Sequence, residues 1–244
     1  MKYDLIIESR PSEVVIALLR DGLLIELHKE KHDNNFAVGD IYLGKVRKTV
    51  PGLNASFVNV GYEKDGFLHY LDLGIQFNSY KKFTRQAIDK KLNTASLKNF
   101  KKEENLKKEG AINNAIKSGD LILTQISKEP ISTKGPRLTT EVSIAGRYMI
   151  LIPFSDKVSI SQKIDSPEEQ KRLKQLIRSI KPHGFGVIIR TVAVGKKVAE
   201  LDKDLKNLYK KWQGISKKLK EAKPYTRIHG ELNKASVILR DLLN

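Results

Sequence analysis

The residues best suited to chemistry in this sequence are two phenylalanines, Phe57 and Phe67, in neighbouring segments that read as short strands. Lys45, Arg47 and Lys134 are the basic residues that the same region can place nearby. Aromatic rings on a small barrel stack on nucleobases, and basic side chains beside them neutralise phosphates. Strand phenylalanines also serve as core residues, so the pattern is compatible with a binding platform or with a core pair.

A second candidate is the pair Arg190 and Thr191, which ends an apolar strand pattern. A guanidinium offers two parallel donors to phosphate oxygens, and a neighbouring hydroxyl adds a third. The preceding strand would fix the direction of both side chains. The alternative is an arginine at an ordinary strand end, followed by a threonine that is simply a good strand former.

The acidic and histidine residues do not have the spacing of a catalytic centre. Asp4 and Glu8 share one face of the first predicted strand and Glu26 lies on another, but metal-dependent hydrolysis needs several carboxylates that converge. We predict a surface role for them, and neither a catalytic nor a metal-binding residue in this chain. The histidines lack metal-like or triad-like spacing, although His69 can stack on a base; they are His28, His32, His69, His183 and His229.

The charge of the chain favours a polyanionic partner. Among 244 residues there are 45 Lys and Arg against 28 Asp and Glu, which gives a formal net charge of +17. Such a surplus is typical of proteins that bind RNA, DNA or an anionic membrane, but it also occurs on a lysine-rich solubilising surface. The apolar fraction of 40% supports folded cores.

Other features of the whole sequence concern the cellular compartment of the protein. There is no cysteine, which excludes disulfides and thiolate metal sites and fits a reducing cytoplasm. No apolar run approaches the roughly 20 residues of a membrane span. The N-terminus, MKYDLIIES, has a strand pattern and not that of a signal peptide. We predict a cytoplasmic protein without a membrane partner.

The elements that must position these residues begin with a three-stranded meander, in which Asp21-Gly22 forms a hairpin turn. From Gly39 onward, short strand patterns separated by turn residues predict a small antiparallel barrel. The predicted meander strands are 3–9, 13–19 and 23–30, followed by a connection at 31–37; the barrel strands lie within 39–50, 53–61, 66–73 and 119–127, with two more strands within 140–153.

The segment 80–118 is a polar insert between predicted strands. It holds 11 Lys and Arg against 4 Asp and Glu, a net charge of +7. We predict a long loop with some helix. Either it contacts RNA or it is a solvated loop.

The last part of the chain alternates helix and strand patterns. A helix is predicted from Ser166, a good N-cap followed by Pro167, to about Ile180. A strand at 185–191 and a final helix at 231–243 enclose a long amphipathic helix. The apolar face of that helix is predicted to comprise Val198, Leu201, Leu205, Leu208, Trp212, Ile215 and Leu219.

Several motifs in one order resemble the N-terminal half of the ribonuclease E/G family of bacterial endoribonucleases. They are IYLGKV, SFVNVG and GFLHY, then KG-x-x-LTT-x-x-S-x-AG-x-Y from Lys134 to Tyr148, then GVIIRT-x-x-VG from Gly186 to Gly195, followed by the helix with Trp212. Together they cover nearly the whole chain.

The resemblance implies an α+β fold with a split ribonuclease H-like subdomain, an inserted OB-fold β-barrel and a small α/β 5′-sensor subdomain. The implied divisions are 1–38 with 197–244 for the ribonuclease H-like part, 39–140 for the RNA-binding barrel with its basic insert, and 141–196 for the sensor of a 5′-monophosphate.

The resemblance also implies roles for individual residues. Phe57, Phe67 and Lys134 match RNA-contacting positions of the barrel, and Lys45 adds charge beside them. Two further residue pairs match positions that bind or line a 5′-phosphate pocket; these are Arg190 with Thr191 and Gly146 with Ile150.

Two departures from the family pattern stand out. The insert at 80–118 is longer and more basic than expected, and Gln162-Lys163 replaces an expected arginine pair. The family's metal-binding acids belong to a later subdomain, so we expect this chain to bind RNA without cleaving it. The expected partner is single-stranded RNA, preferably 5′-monophosphorylated. The only expected cofactor is magnesium, and it is expected in the full-length enzyme. We also expect that the full-length enzyme can form a homo-oligomer.

One alternative is a non-catalytic single-stranded RNA-binding regulator with the same folds. A DNA-binding module is the weaker alternative, because no helix-turn-helix or zinc-finger pattern occurs.

Overall fold

The computed structural model describes residues 2–31, 36–92, 94–231, 236–238 and 240. In these residues the chain is a mixture of helices and β-sheets. The strands are β1 (Tyr3–Ser9), β2 (Glu13–Arg20), β3 (Leu23–Lys31), β4 (Ile41–Val50), β5 (Ala55–Asn59), β6 (Gly66–His69), β7 (Leu121–Lys128), β8 (Arg137–Thr139), β9 (Ile144–Ala145), β10 (Met149–Pro153), β11 (Val158–Ile160), β12 (Phe185–Ile189) and β13 (Arg227–His229). The helices are α1 (Phe77–Ile88), α2 (Ile112–Ala115), α3 (Pro167–Ile180) and α4 (Val198–Leu219).

The predicted meander is confirmed as an antiparallel sheet in the order β1-β2-β3. Its second turn contains Asp21 and Gly22, with φ angles of 49° and 84°. Two consecutive positive φ angles belong to the turn type that matches the twist of a two-residue hairpin, for which Asp-Gly is a preferred sequence. The local sequence is therefore sufficient to specify this hairpin.

The barrel is also confirmed, as a closed, OB-like barrel of five strands, although the pairing of β6 with β8 is parallel and not antiparallel as predicted. The hydrogen-bonded order is β4-β5-β6-β8-β7, and β7 pairs with β4 to close the ring. Alternate residues point inward, where Val46, Val58 and Leu68 are at most 1% exposed. Gly44 is required inside β4, because a Cβ atom there would lie 2.6 Å from Val58 Cγ1. The short strand β13 pairs with Ile41 and Tyr42 at the start of β4.

A second sheet has the order β11-β12-β10-β9, and α3 and α4 pack on one of its faces. The predicted start of α3 is confirmed, since the Ser166 hydroxyl accepts a hydrogen bond from the Glu169 N–H. The predicted apolar face of α4 is buried from Leu201 to Leu219, whereas Val198, in the first turn, is 51% exposed.

The segment 80–118 contains some helix, as predicted, but the helix in its first part is packed into the core and is not solvated. Tyr80, Phe83 and Ala87 on α1 are at most 2% exposed, and Leu97 is buried as well. The three- and four-residue spacing of Tyr80, Phe83 and Ala87 is that of a helix with one apolar face. The many lysines of the segment make this helical pattern hard to recognise in the sequence. Part of the basic charge is also neutralised, for example by the ion pair between Lys81 and Asp120 at 2.7 Å.

Other differences concern short elements. Three strands of three residues each, β8, β11 and β13, were not predicted, and the predicted strand 185–191 ends at Ile189. The predicted connection at 31–37, which contains His32, and the predicted helix at 231–243 lie largely outside the described residues. No helix in the described part of the chain is long and apolar enough to cross a membrane.

Candidate nucleic-acid interface

A row of four side chains crosses the outer face of the barrel. In the strand register, Lys48 on β4 is opposite Phe57 on β5, Phe57 is opposite Phe67 on β6, and Phe67 is opposite Arg137 on β8. Residues that are directly opposite one another on adjacent strands project from the same face. The barrel register therefore combines two aromatic rings with a basic side chain at each end of the row, of which Arg137 is paired with Asp72 at 2.9 Å.

The two rings lie outside the barrel core. Both phenylalanines are partly exposed, and their ring centroids are 5.9 Å apart in an edge-to-face arrangement of 70°. The Lys48 ammonium lies 5.3 Å from the centroid of the Phe57 ring. Partly exposed aromatic faces beside a cation are the arrangement on which single-stranded nucleic acids stack.

An open groove of about 560 Å³ runs over this row. Lys134 lines it from a tight turn, in which its N–H bonds to the Ile131 carbonyl at 3.0 Å. Gly135 lets this turn approach the barrel, because a Cβ atom there would lie 2.2 Å from the Asp65 carbonyl oxygen. The structure thus brings Phe57, Phe67 and Lys134 to one groove.

Lys45 is not among the groove residues. It faces outward on β4 opposite Asn59, two residues along β5 from Phe57. The groove instead contains three basic residues that sequence reasoning missed, Lys48, Lys64 and Arg137. A register prediction for β4 and β5 could have found Lys48, but no local signal places Arg137 beside Phe67.

Arg190 and Gly146 are also brought together. The Arg190 guanidinium donates from Nη1 to the Gly146 carbonyl at 2.9 Å and to the Arg147 carbonyl at 3.3 Å. The backbone of Gly146 is itself close to Asp204, which accepts the Tyr148 N–H at 2.9 Å. These bonds fix the direction of the guanidinium relative to the 146–148 turn.

Ile150 and Thr191 are the other two residues predicted to lie at a 5′-phosphate pocket. Ile150 is opposite Ile188 on β12 and Ala145 on β9, on the partly exposed face of the sheet. Thr191 follows Arg190 and begins a short 3₁₀ helix. It lines a separate depression of about 290 Å³ with Val192, Val194 and Lys196. The four residues therefore lie near one end of the strands of this sheet, and Thr191 also lines this depression.

The loop after Thr191 is hydrogen-bonded to the first turn of α3. The Glu169 carboxylate accepts two hydrogen bonds from Arg172, at 2.6 and 2.7 Å, and one from the Gly195 N–H at 2.9 Å. These donors hold the pKa of Glu169 at about 2, below its ordinary value of 4.5.

Glu169→Gln is therefore expected to lower the free energy of unfolding at pH 7 by about 0.5–1 kcal/mol, as for a partly exposed ion pair. A depressed pKa stabilises the fold above the unfolded-state pKa, so the difference from the parent chain should disappear as the pH falls from about 4.5 to about 2. Urea denaturation at several pH values measures it. The neighbouring exposed carboxylate gives the control, Glu168→Gln; equal pH profiles of the two variants would contradict the assignment.

The described residues contain no group of three or more His, Cys, Asp or Glu side chains that could hold a metal ion. Asp4, Glu8 and Glu26 lie on β1 and β3 as predicted, and Glu8 pairs with Arg10 at 2.8 Å. The arrangement of the site is suited to binding anions and aromatic rings.

Sequence comparisons identify known proteins that are similar to this chain. The model of the Ribonuclease E/G family matches residues 143–244. Ribonuclease G of Escherichia coli strain K12 is 31% identical over 99% of this chain and 45% of its own length, and ribonuclease G of Haemophilus influenzae is 32% identical over 98% and 45%. Ribonuclease E of Nostoc sp. PCC 7120 is 34% identical over 84% of this chain and 26% of its own length. The chain thus spans less than half the length of these relatives.

Proposed function

Because this chain belongs to the ribonuclease E/G family, we propose that it is the RNA-binding and 5′-end-sensing portion of an endoribonuclease that cleaves single-stranded RNA. The observation that carries the proposal is the row of Lys48, Phe57, Phe67 and Arg137 over one groove of the barrel. Each base stacked on an aromatic ring contributes about 1–3 kcal/mol, and the flanking cations attract the phosphates.

Phe57→Ala and Phe67→Ala are each expected to weaken binding of a single-stranded oligoribonucleotide by about 1–3 kcal/mol, since each removes one stacking surface. Fluorescence anisotropy at fixed salt concentration measures the affinity. Both rings are partly exposed, so the variants should remain folded, which circular dichroism would verify.

The matched control is Tyr3→Ala, which removes a half-exposed aromatic ring from the separate β1-β2-β3 sheet. This variant should bind RNA as the parent chain does. If all three variants bind equally well while remaining folded, the barrel platform is not the RNA site.

The second part of the proposal is recognition of a 5′-monophosphate by Arg190 and Thr191, with Gly146 and Ile150 beside them. Two observations support it. The guanidinium is held in one direction by the Gly146 and Arg147 carbonyls, and the Thr191 loop is held by Glu169. Preorganised donors reduce the entropy lost on binding.

Arg190→Lys is expected to abolish the preference for 5′-monophosphorylated over 5′-hydroxyl RNA, because a lysine keeps the charge but loses the planar fork. The expected loss is about 1.5–3 kcal/mol, typical of a hydrogen bond to a charged group. The comparison uses two oligoribonucleotides that differ only in the 5′ phosphate. Arg178→Lys, at an exposed position of α3, is the control. A preference that survives Arg190→Lys would place the sensor elsewhere.

The remaining proposals concern the whole protein. The proposed division assigns 1–38 with 197–244 to a ribonuclease H-like subdomain, 39–140 to the barrel and 141–196 to the sensor. Magnesium would support cleavage in the full-length enzyme, and we assign none of its ligands to this chain. We further propose a cytoplasmic enzyme that can assemble as a homo-oligomer.

A further inference from the structure

The outer face of the barrel does not end at the two phenylalanines. Along β6, side chains alternate between the core and the surface, so His69 follows Phe67 on the outer face. His69 then accepts the Leu71 N–H at 3.1 Å and so holds the start of the next turn. Leu71 is 70% exposed, and Ile75 nearby is 43% exposed. An exposed apolar surface therefore begins just after β6, the strand that carries Phe67.

This surface is one wall of a second depression, of about 260 Å³. Leu71 and Ile75 line it together with Leu106, Lys107 and Lys108 of the insert. Exposed apolar side chains can contact a nucleoside, and ammonium groups beside them can contact its phosphates, which are the two kinds of contact by which proteins bind a single strand.

The depression is held in shape by bonds between the barrel and the insert. The Tyr70 hydroxyl donates to the Lys107 carbonyl at 2.7 Å, and the Leu106 N–H donates to the Ile75 carbonyl at 2.8 Å. The Asn54 side-chain amide donates to the Gly110 carbonyl at 2.9 Å. The two lysines therefore project from a backbone that is fixed to the barrel.

The charges of these lysines are not neutralised within the described chain. Lys107 and Lys108 are exposed and take part in none of the ion pairs formed by the described residues, whereas Lys82 of the same insert pairs with Glu103 at 2.5 Å. Glu141 lines the depression as well, so its charge is mixed.

We propose that a single RNA strand that stacks on Phe57 and Phe67 continues into this depression, where Leu71 and Ile75 contact a nucleoside and Lys107 and Lys108 contact its phosphates. This inference rests on the proposed RNA binding by the barrel. OB folds cover about 4–16 nucleotides, and two phenylalanine rings account for only a few. The exposed apolar surface next to the platform supplies the contacts for the remainder.

The test compares oligoribonucleotides of about four and about twelve nucleotides, the short one long enough only for the platform. The double variant Lys107→Gln/Lys108→Gln should bind the longer RNA about tenfold more weakly at about 0.15 M salt. Each phosphate contact contributes about 0.7 to the slope of log affinity against log salt concentration, so the loss of two contacts should also lower that slope by about 1.4. Binding of the short RNA should not change. Leu71→Ser should also weaken only the longer complex.

The matched control is Lys98→Gln/Lys101→Gln, which removes the same charge from two exposed positions of the same insert. If both double variants lose the same affinity, the effect is one of net charge, and the proposed track is wrong. Unchanged binding of the longer RNA by Lys107→Gln/Lys108→Gln would also overturn it, even where Phe57→Ala still weakens binding. Failure of the platform itself would instead appear as an unchanged affinity of Phe57→Ala for the short RNA.

Discussion

Replacing Asp40 by alanine is expected to lower the free energy of unfolding by about 3–5 kcal/mol, the cost of breaking a buried ion pair from one side. Asp40 is fully buried, and its Oδ1 atom accepts from Arg227 Nη2 at 2.7 Å and from the Glu231 N–H at 2.9 Å. Its Oδ2 atom accepts the Phe36 and Ala37 N–H groups at 3.1 and 3.2 Å.

The size of this effect follows from what the substitution leaves behind. Without the carboxylate, the Arg227 guanidinium, whose side chain is one-third exposed, loses this ion pair. The Ala37 and Glu231 N–H groups lose this acceptor, whereas the Phe36 N–H keeps the Tyr42 hydroxyl at 3.1 Å. A buried donor whose acceptor is removed costs about 1–3 kcal/mol. The network also joins the segment before β4 to β13, which are far apart in sequence, so its loss should loosen the edge of the barrel.

Urea denaturation at pH 7 measures the change, with the exposed Asp165→Ala as control. Asp40→Asn keeps one carbonyl acceptor and should lie between the alanine variant and the parent chain. An Asp40→Ala variant as stable as Asp165→Ala would contradict the role of this carboxylate.

Trp212→Ala is expected to cost a similar amount, about 3–5 kcal/mol, by leaving a large cavity. Trp212 is fully buried, and its ring centroid lies 5.1 Å from that of Phe83 and 5.9 Å from those of Phe154 and Phe185. Its Nε1–H donates to the Ala95 carbonyl at 2.9 Å. One side chain on α4 thus joins the insert helix α1, strand β12 and the loop after β10.

Thermal and urea denaturation measure this loss as well. Gln213→Ala, at the next and exposed position of α4, should change stability little. Trp212→Phe should recover part of the loss, because it keeps the aromatic contacts but not the donor to Ala95. A small effect of Trp212→Ala would mean that the insert and α4 are stable without their shared core.

The sequence by itself determined the elements that local patterns specify. The hairpin at Asp21-Gly22, the start of α3 at Ser166 and the buried face of α4 each follow from a turn, a cap or a helical period. The strands around Phe57 and Phe67 were also predictable, since alternation and turn residues mark them.

Only the tertiary structure decided which side chains share a surface. The strands β8 and β13 have three residues each and are held by partners distant in the chain, so no local pattern marks them. The register of the barrel placed Lys48 and Arg137 at the ends of the phenylalanine row. The turn at Gly146 and the end of β12, 44 residues apart, fixed the direction of Arg190. Long-range pairing determines such positions, because the energy that selects them comes from contacts between segments and not from the propensity of either one.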